Sequence, residues 1–378
     1  MVWLAEVVET LRDAHGTETL VLTSAAVIGI MFGIIAEASR FCLRSAIIEG
    51  VDYRAEPTRT ARAPIQMVQF LVAIAVALAG TQALVAAGSL DLSTSIQHSS
   101  ALNVAAVVFG GVAFGIGMML SGGCLSRLVV LSATGNLRAM VTLLVAGITA
   151  HATISGVLTG PRLFVEGLGP SFQVATVDGA LGITALLAAA LVVAGVLLVV
   201  APLARRAGPW PALVGAGVGG LVVAAWVATG IVGHDDFSPT PVRALVFAAP
   251  LGESVRYLMI STGDTLKFGT VVLAGILAGS FLSALVGGRL ALRGFDSERA
   301  MLRYLAGGVL MGFGGVVALG CSFGQGVSGI STLSIGSFIA LAAIVAGGAS
   351  AHAIATKGLQ WGRGRDLSAE QPSAQVST

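Results

Sequence analysis

Residues 110–124 read GGVAFGIGMMLSGGC, and residues 307–321 read GGVLMGFGGVVALGC. At an offset of 197 they share Gly110/Gly307, Gly111/Gly308, Val112/Val309, Gly115/Gly312, Gly117/Gly314, Gly123/Gly320 and Cys124/Cys321. Further on, Gly135, Gly147, Ala150 and His151 match Gly336, Gly348, Ala351 and His352 at an offset of 201, so the second copy would carry four more residues in its loop. An internal repeat of this kind speaks to the fold before it speaks to function.

The chain has 378 residues, 55% hydrophobic and 11% charged, with a mean hydropathy of +0.91. Apolar runs of about 18 residues or more recur from end to end, the pattern of a polytopic helical membrane protein. Backbone groups in lipid must be paired within the protein, so an all-α fold is expected. Glycine occupies 51 positions, about twice its usual share. In a membrane this points to close helix contacts and interrupted helices. A net charge of +2 gives no reason to expect a nucleic-acid partner. Three cysteines without a CxxC pair indicate neither a disulfide framework nor a paired zinc site. Ser-His-Asp and phosphate-loop patterns are absent, and no cofactor is expected.

Nine spans are expected near 18–36, 65–88, 103–121, 136–158, 179–203, 209–231, 268–288, 301–319 and 335–356. Three apolar pieces, 41–48, 124–133 and 322–334, follow Gly- or Ser-containing breaks and are too short to cross. Re-entrant backbone of this kind is tolerated only where protein or a water-filled cavity surrounds it. All three cysteines, Cys42, Cys124 and Cys321, sit in or beside these pieces. Residues 1–17 lack a basic n-region and carry Glu6, Glu9 and Asp13, so they read as a surface helix rather than a cleaved signal. Residues 18–356 form one transmembrane domain with repeat halves at about 18–160 and 209–356, and 357–378 reads as a flexible tail.

With the N-terminus outside, sixteen of the 21 Lys and Arg residues fall in inside loops, and five (Arg12, Arg162, Arg243, Arg256, Lys267) fall outside. The positive-inside rule therefore predicts N-out, C-in. The third span then runs opposite to its repeat partner, the eighth. Inverted repeats with broken segments at matched places point to a transport site near the midplane. A stable scaffold left by an ancient duplication is the plainer alternative.

Cys124 and Cys321 each follow a glycine at matched breaks. A buried cysteine can be simply a small hydrophobe. Two at matched breaks suggest more. Gly123 and Gly320 let the backbone turn and let something approach closely, with Gly122 in the same supporting loop. The short helix that follows would present its N-terminal N–H groups, which favour anions, and Ser126 and Ser322 could add hydroxyl donors. Apolar surroundings favour the neutral thiol, which donates weakly to an anion where a thiolate would repel it. Cys42 lies in ASRFCLRSAIIEG, where Arg40 and Arg44 form a basic mouth that could attract anions. Glu37 is expected to pair with Arg40 or Arg44. His151 and His352 match across the repeat, as hydrogen-bond partners or as proton carriers.

A Gly-rich span ending in SGGC (121–124), a second ending in LGC (319–321) and an RFC at 40–42 resemble the YeeE/YedE family of bacterial inner-membrane sulfur-transport proteins. The resemblance spans roughly residues 28–352. It implies an hourglass-shaped single-chain bundle with loops plunging to a narrow centre. It implies thiosulfate uptake past three cysteine thiols by S–H···S contacts, here Cys42, Cys124 and Cys321. It also implies a TusA-like sulfur-carrier protein as cytoplasmic partner, here a separate chain. Cys321 is followed by SFGQG where Cys124 is followed by LSR. Two other readings stand beside uptake of thiosulfate: transport of a different sulfur or selenium compound, and a membrane thiol-redox enzyme, which would need a close cysteine pair.

Overall fold

The computed structural model describes residues 16–55, 64–96, 102–169, 171–172, 176–233, 241–295 and 297–369. The expected N-terminal surface helix falls almost wholly outside them. The first half comprises α1 (Thr17–Ser39), α2 (Leu43–Ala55), α3 (Ile65–Ala86), α4 (Val104–Leu120), α5 (Leu125–Ala133) and α6 (Leu137–Ser155). Two short helices, α7 (Thr159–Glu166) and α8 (Val177–Leu181), lead to α9 (Ala185–Ala207). The second half comprises α10 (Pro209–Val227), α11 (Ala248–Met259), α12 (Phe268–Val286), α13 (Glu298–Val317) and α14 (Ile335–Ala369). Among the described residues the sheet is a single antiparallel pair, Leu102–Asn103 with Ser171–Phe172. Nine helical segments are long and apolar enough to cross a membrane, by length and composition, among the described residues. The last helix continues to Ala369, past the polar residue Lys357.

Local chemistry sets the helix starts. Asn103 accepts from Ala106 N (3.0 Å) ahead of α4, and Asn136 accepts from Ala139 N (3.3 Å) ahead of α6. Ser297 accepts from Ala300 N (3.2 Å) ahead of α13. Each cap satisfies a donor that would otherwise be orphaned in or near lipid. Large apolar side chains such as Leu144, Leu191, Leu198 and Phe281 stay exposed on the outside of the bundle, as a lipid-facing surface requires.

The helix pairings exchange between the halves. Helix α1 packs on α12 while α10 packs on α3, and α4 packs on α14 while α13 packs on α6. Helices α4 and α13 also pack on one another. Glycine makes these contacts close. A Cβ at Gly110 would meet Gly314 O at 2.8 Å and Ala318 N at 2.6 Å, and a Cβ at Gly307 would meet Gly117 O at 2.8 Å and Ser121 N at 3.0 Å. These four contacts map onto one another at the offset of 197. In lipid, where no hydrophobic force draws helices together, such backbone approach supplies the packing energy.

Beyond the cysteines the register differs from the sequence expectation. A Cβ at Gly115 would meet Gly348 N at 2.7 Å, and a Cβ at Gly312 would meet Ala150 N at 3.1 Å. Helices α6 and α14 begin at Leu137 and Ile335. The packing offset is therefore 198, and the apparent matches at 201 lie about one helical turn out. His151 and His352 are not counterparts: His151 abuts α11 through its backbone, close to Gly252, whereas His352 Nε2 stands 3.4 Å from Asp52 Oδ1. The second copy carries one extra residue, not four. In the first copy the segment after the cysteine is the α-helix α5. In the second it is a π-turn at Gly324–Gly329 followed by a 3₁₀ turn at Ile330–Thr332. A π-turn is how a helix absorbs one inserted residue.

Candidate functional site: two broken segments and three thiols

Each break turns on a left-handed residue. Gly122 has φ +74° and its counterpart Leu319 has φ +57°. A second left-handed position closes each segment, Gly135 at φ +92° and Leu333 at φ +58°. The turn needs its freedom at Gly122, not at Gly123 or Gly320 as the sequence indicated. A Cβ at Gly123 would make only ordinary contacts, the nearest being Arg127 Cγ at 3.5 Å. At Gly320 it would press on the flexible Gln325 side chain, at 3.0 Å from Cγ. Gln325 is itself fixed, donating to Ala318 O (2.9 Å) and accepting from Ser337 Oγ (2.7 Å).

At the first break, two cysteines distant in sequence meet. Cys42 Sγ lies 3.7 Å from Cys124 Sγ, and Cys124 Sγ lies 3.2 Å from Ser126 Oγ. Cys42 stands between α1 and α2 behind Arg40, which turns the chain at φ +58°. Cys124 is the N-terminal flanking residue of α5. Both thiols are buried, as is Ser126.

The second break is built alike but lined differently. Cys321 is buried, and Gly324 N donates to its sulfur at 3.3 Å. Helix α11, which sequence reading missed between spans, begins just after Phe247 as α2 begins just after Cys42. Leu251 N donates to Phe247 O as Ala46 N donates to Cys42 O. Phe247 therefore takes the position of Cys42. Its ring stacks edge-on against Phe323 at 5.5 Å, and Phe323 reaches Phe32 at 5.3 Å and Phe41 at 6.2 Å. The three thiols and this aromatic cluster lie in one buried core. Ser322 is buried beside Cys321.

The charges around the first break are also resolved. Glu37 does not pair with Arg40 or Arg44: it accepts from Arg289 Nε (2.8 Å) and Nη2 (2.5 Å) and from Ser283 Oγ (2.8 Å). Arg289 follows the end of α12, which packs on α1, so the ion pair closes the far end of that contact. Arg40 is exposed and Arg44 partly buried, with Arg44 Nε enclosed and without a hydrogen-bond partner. Among the described residues no group of three or more His, Cys, Asp or Glu is placed to hold a metal ion.

A helical bundle with nine membrane-length apolar segments among the described residues and two matched breaks suits a membrane transport protein, and comparison with known proteins agrees. Residues 38–350 match the model of the sulphur transport family, and the chain belongs to that family. It is 26% identical over 332 residues to the thiosulfate transporter TsuA of Escherichia coli strain K12, covering 81% of this chain and 86% of that protein. It is 22% identical over 329 residues to the thiosulfate transporter TsuA of Spirochaeta thermophila, covering 83% and 92%. The protein is thus a sulfur transporter rather than an enzyme, and the lipid bilayer is its medium.

Proposed function

We propose that this protein takes up thiosulfate across a bacterial inner membrane along a path that passes Cys42, Cys124 and Cys321. Two relatives named thiosulfate transporters favour that substrate over other sulfur or selenium anions. The observation that carries the role of the thiols is the 3.7 Å approach of Cys42 and Cys124, buried at the end of a broken span. A buried pair of soft S–H donors suits an anion whose terminal sulfur is soft and polarizable. Ser126 stands next to the pair, Gly122 lets the first break turn, and Gly123, Gly320 and Ser322 lie beside the two cysteines. Arg40 and Arg44 give the mouth its positive field.

In this reading the halves form an inverted repeat, since five spans separate the start of α1 from the start of α10. The breaks then enter from opposite sides and meet at the aromatic cluster, the waist of an hourglass. The N-terminus faces the periplasm and the C-terminus the cytoplasm, where a separate TusA-like carrier would receive sulfur. The same thiol pair is what a redox enzyme would need, but membership of a transport family argues against catalysis. Uptake of labelled thiosulfate by cells lacking other sulfur importers tests the proposal. Accumulation that depends on this protein supports it, and none above background from correctly inserted protein refutes it.

A further inference from the structure

Arg127 is the third residue of α5, one turn from the thiol pair. Its Nη1 donates to Ala36 O at 3.0 Å, across to the end of α1. It follows Cys124 by three residues, and Cys124 in turn touches Cys42 at 3.7 Å. No ion pair among the described residues includes it. Glu37, next to Ala36, has its oxygens taken by Arg289 and Ser283. A partly buried guanidinium held without a carboxylate is costly, and it stays where an anion completes it. Arg44, two residues past Cys42, adds a second sign, a buried Nε with no partner. At the other break the residue equivalent to Arg127 is Gly324, which brings a backbone N–H to Cys321 but no side chain.

We propose that Arg127 holds the anion against the Cys42–Cys124 pair and makes that end of the path selective for negative charge. This rests on the transport reading, so the test needs a measure that does not depend on transport. Iodoacetate and iodoacetamide are nearly the same size and differ in charge. Their alkylation rates at Cys42 and Cys124, read by mass spectrometry on purified protein, report the local potential.

In Arg127→Gln the iodoacetate-to-iodoacetamide rate ratio should fall about tenfold, and the KM for thiosulfate uptake should rise about tenfold or more. Arg127→Lys should stay within about threefold of the native protein in both, because the charge remains while the fork geometry is lost. A fallen ratio in a protein that moves no thiosulfate keeps the cationic site and refutes the transport reading. Inserted Arg127→Gln with native KM overturns the proposal, whether or not the thiols react with either reagent. So does equal impairment of the Lys and Gln variants, which would mark Arg127 as structural.

Discussion

The two breaks share a backbone and differ in what they hold. Each turns on a left-handed residue, Gly122 or Leu319, and each places a cysteine two positions later. The first adds a second thiol, a serine hydroxyl and Arg127. The second puts Phe247 where the first has Cys42, and Phe323 where it has Ser126. The two breaks keep this geometry while their lining differs, polar and cationic at the first and aromatic at the second. A substrate crossing from one to the other would exchange partners, not surroundings of the same kind.

The sharpest way to break this comparison is mild oxidation. The pairing at 3.7 Å predicts that oxidant links Cys42 to Cys124 completely, leaving Cys321 open to alkylation. Peptide mapping reads the product. A link from Cys321 to either of the others would contradict that pairing.

Removing single thiols should give the next largest effects. A hydrogen bond to a charged group is worth about 1.5–3 kcal/mol, so its loss at the limiting barrier slows uptake about ten- to hundredfold. Cys321→Ala should show the full loss, because Phe247 beside it offers no donor. Cys124→Ala should come close, and Cys42→Ala should lose least because Cys124 and Ser126 remain. Uptake kinetics of the three variants, normalised to protein in the membrane, check the order. Greater loss from Cys42→Ala than from Cys321→Ala would reverse the account of which break has a reserve.

Smaller effects distinguish the glycines. Gly122→Ala forces a Cβ into the left-handed region and should cost about 1–2 kcal/mol of stability. Gly123→Ala meets only ordinary contacts and should leave thermal unfolding nearly unchanged. Equal shifts for the two variants would show that close packing, not backbone conformation, governs the turn.

Much of this was legible in the chain before any coordinates. Long apolar runs placed all nine spans, because burial in lipid leaves the backbone one choice. The matched GGV…GC stretches marked both breaks, and the three short pieces fell where α2, α5 and the π-turn lie. Three things were not legible. The register past the cysteines was misread because Gly147/Gly348 and His151/His352 coincide one turn away from the packing register, which only the Gly115–Gly348 and Gly312–Ala150 contacts reveal. The helix α11 was overlooked because Ala248–Met259 carries Glu253 and Arg256 and is too short for a span. The partner of Glu37 was missed because Arg289 lies 252 residues away in sequence, and charge pairing across a bundle leaves no local pattern. Arg127 carries no local pattern either, being one basic residue among the sixteen counted in the inside loops.

The central claim is that thiosulfate passes intact from thiol to thiol. Thiosulfate carrying distinguishable labels on its outer and inner sulfurs, followed into cells or vesicles while the protein is sampled for mass, tests it most directly. The account predicts that both labels arrive inside in equal amounts, with Cys42, Cys124 and Cys321 unmodified throughout turnover. Arrival of the outer sulfur alone, or a persulfide that forms on Cys124 or Cys321 at the rate of uptake, would contradict it.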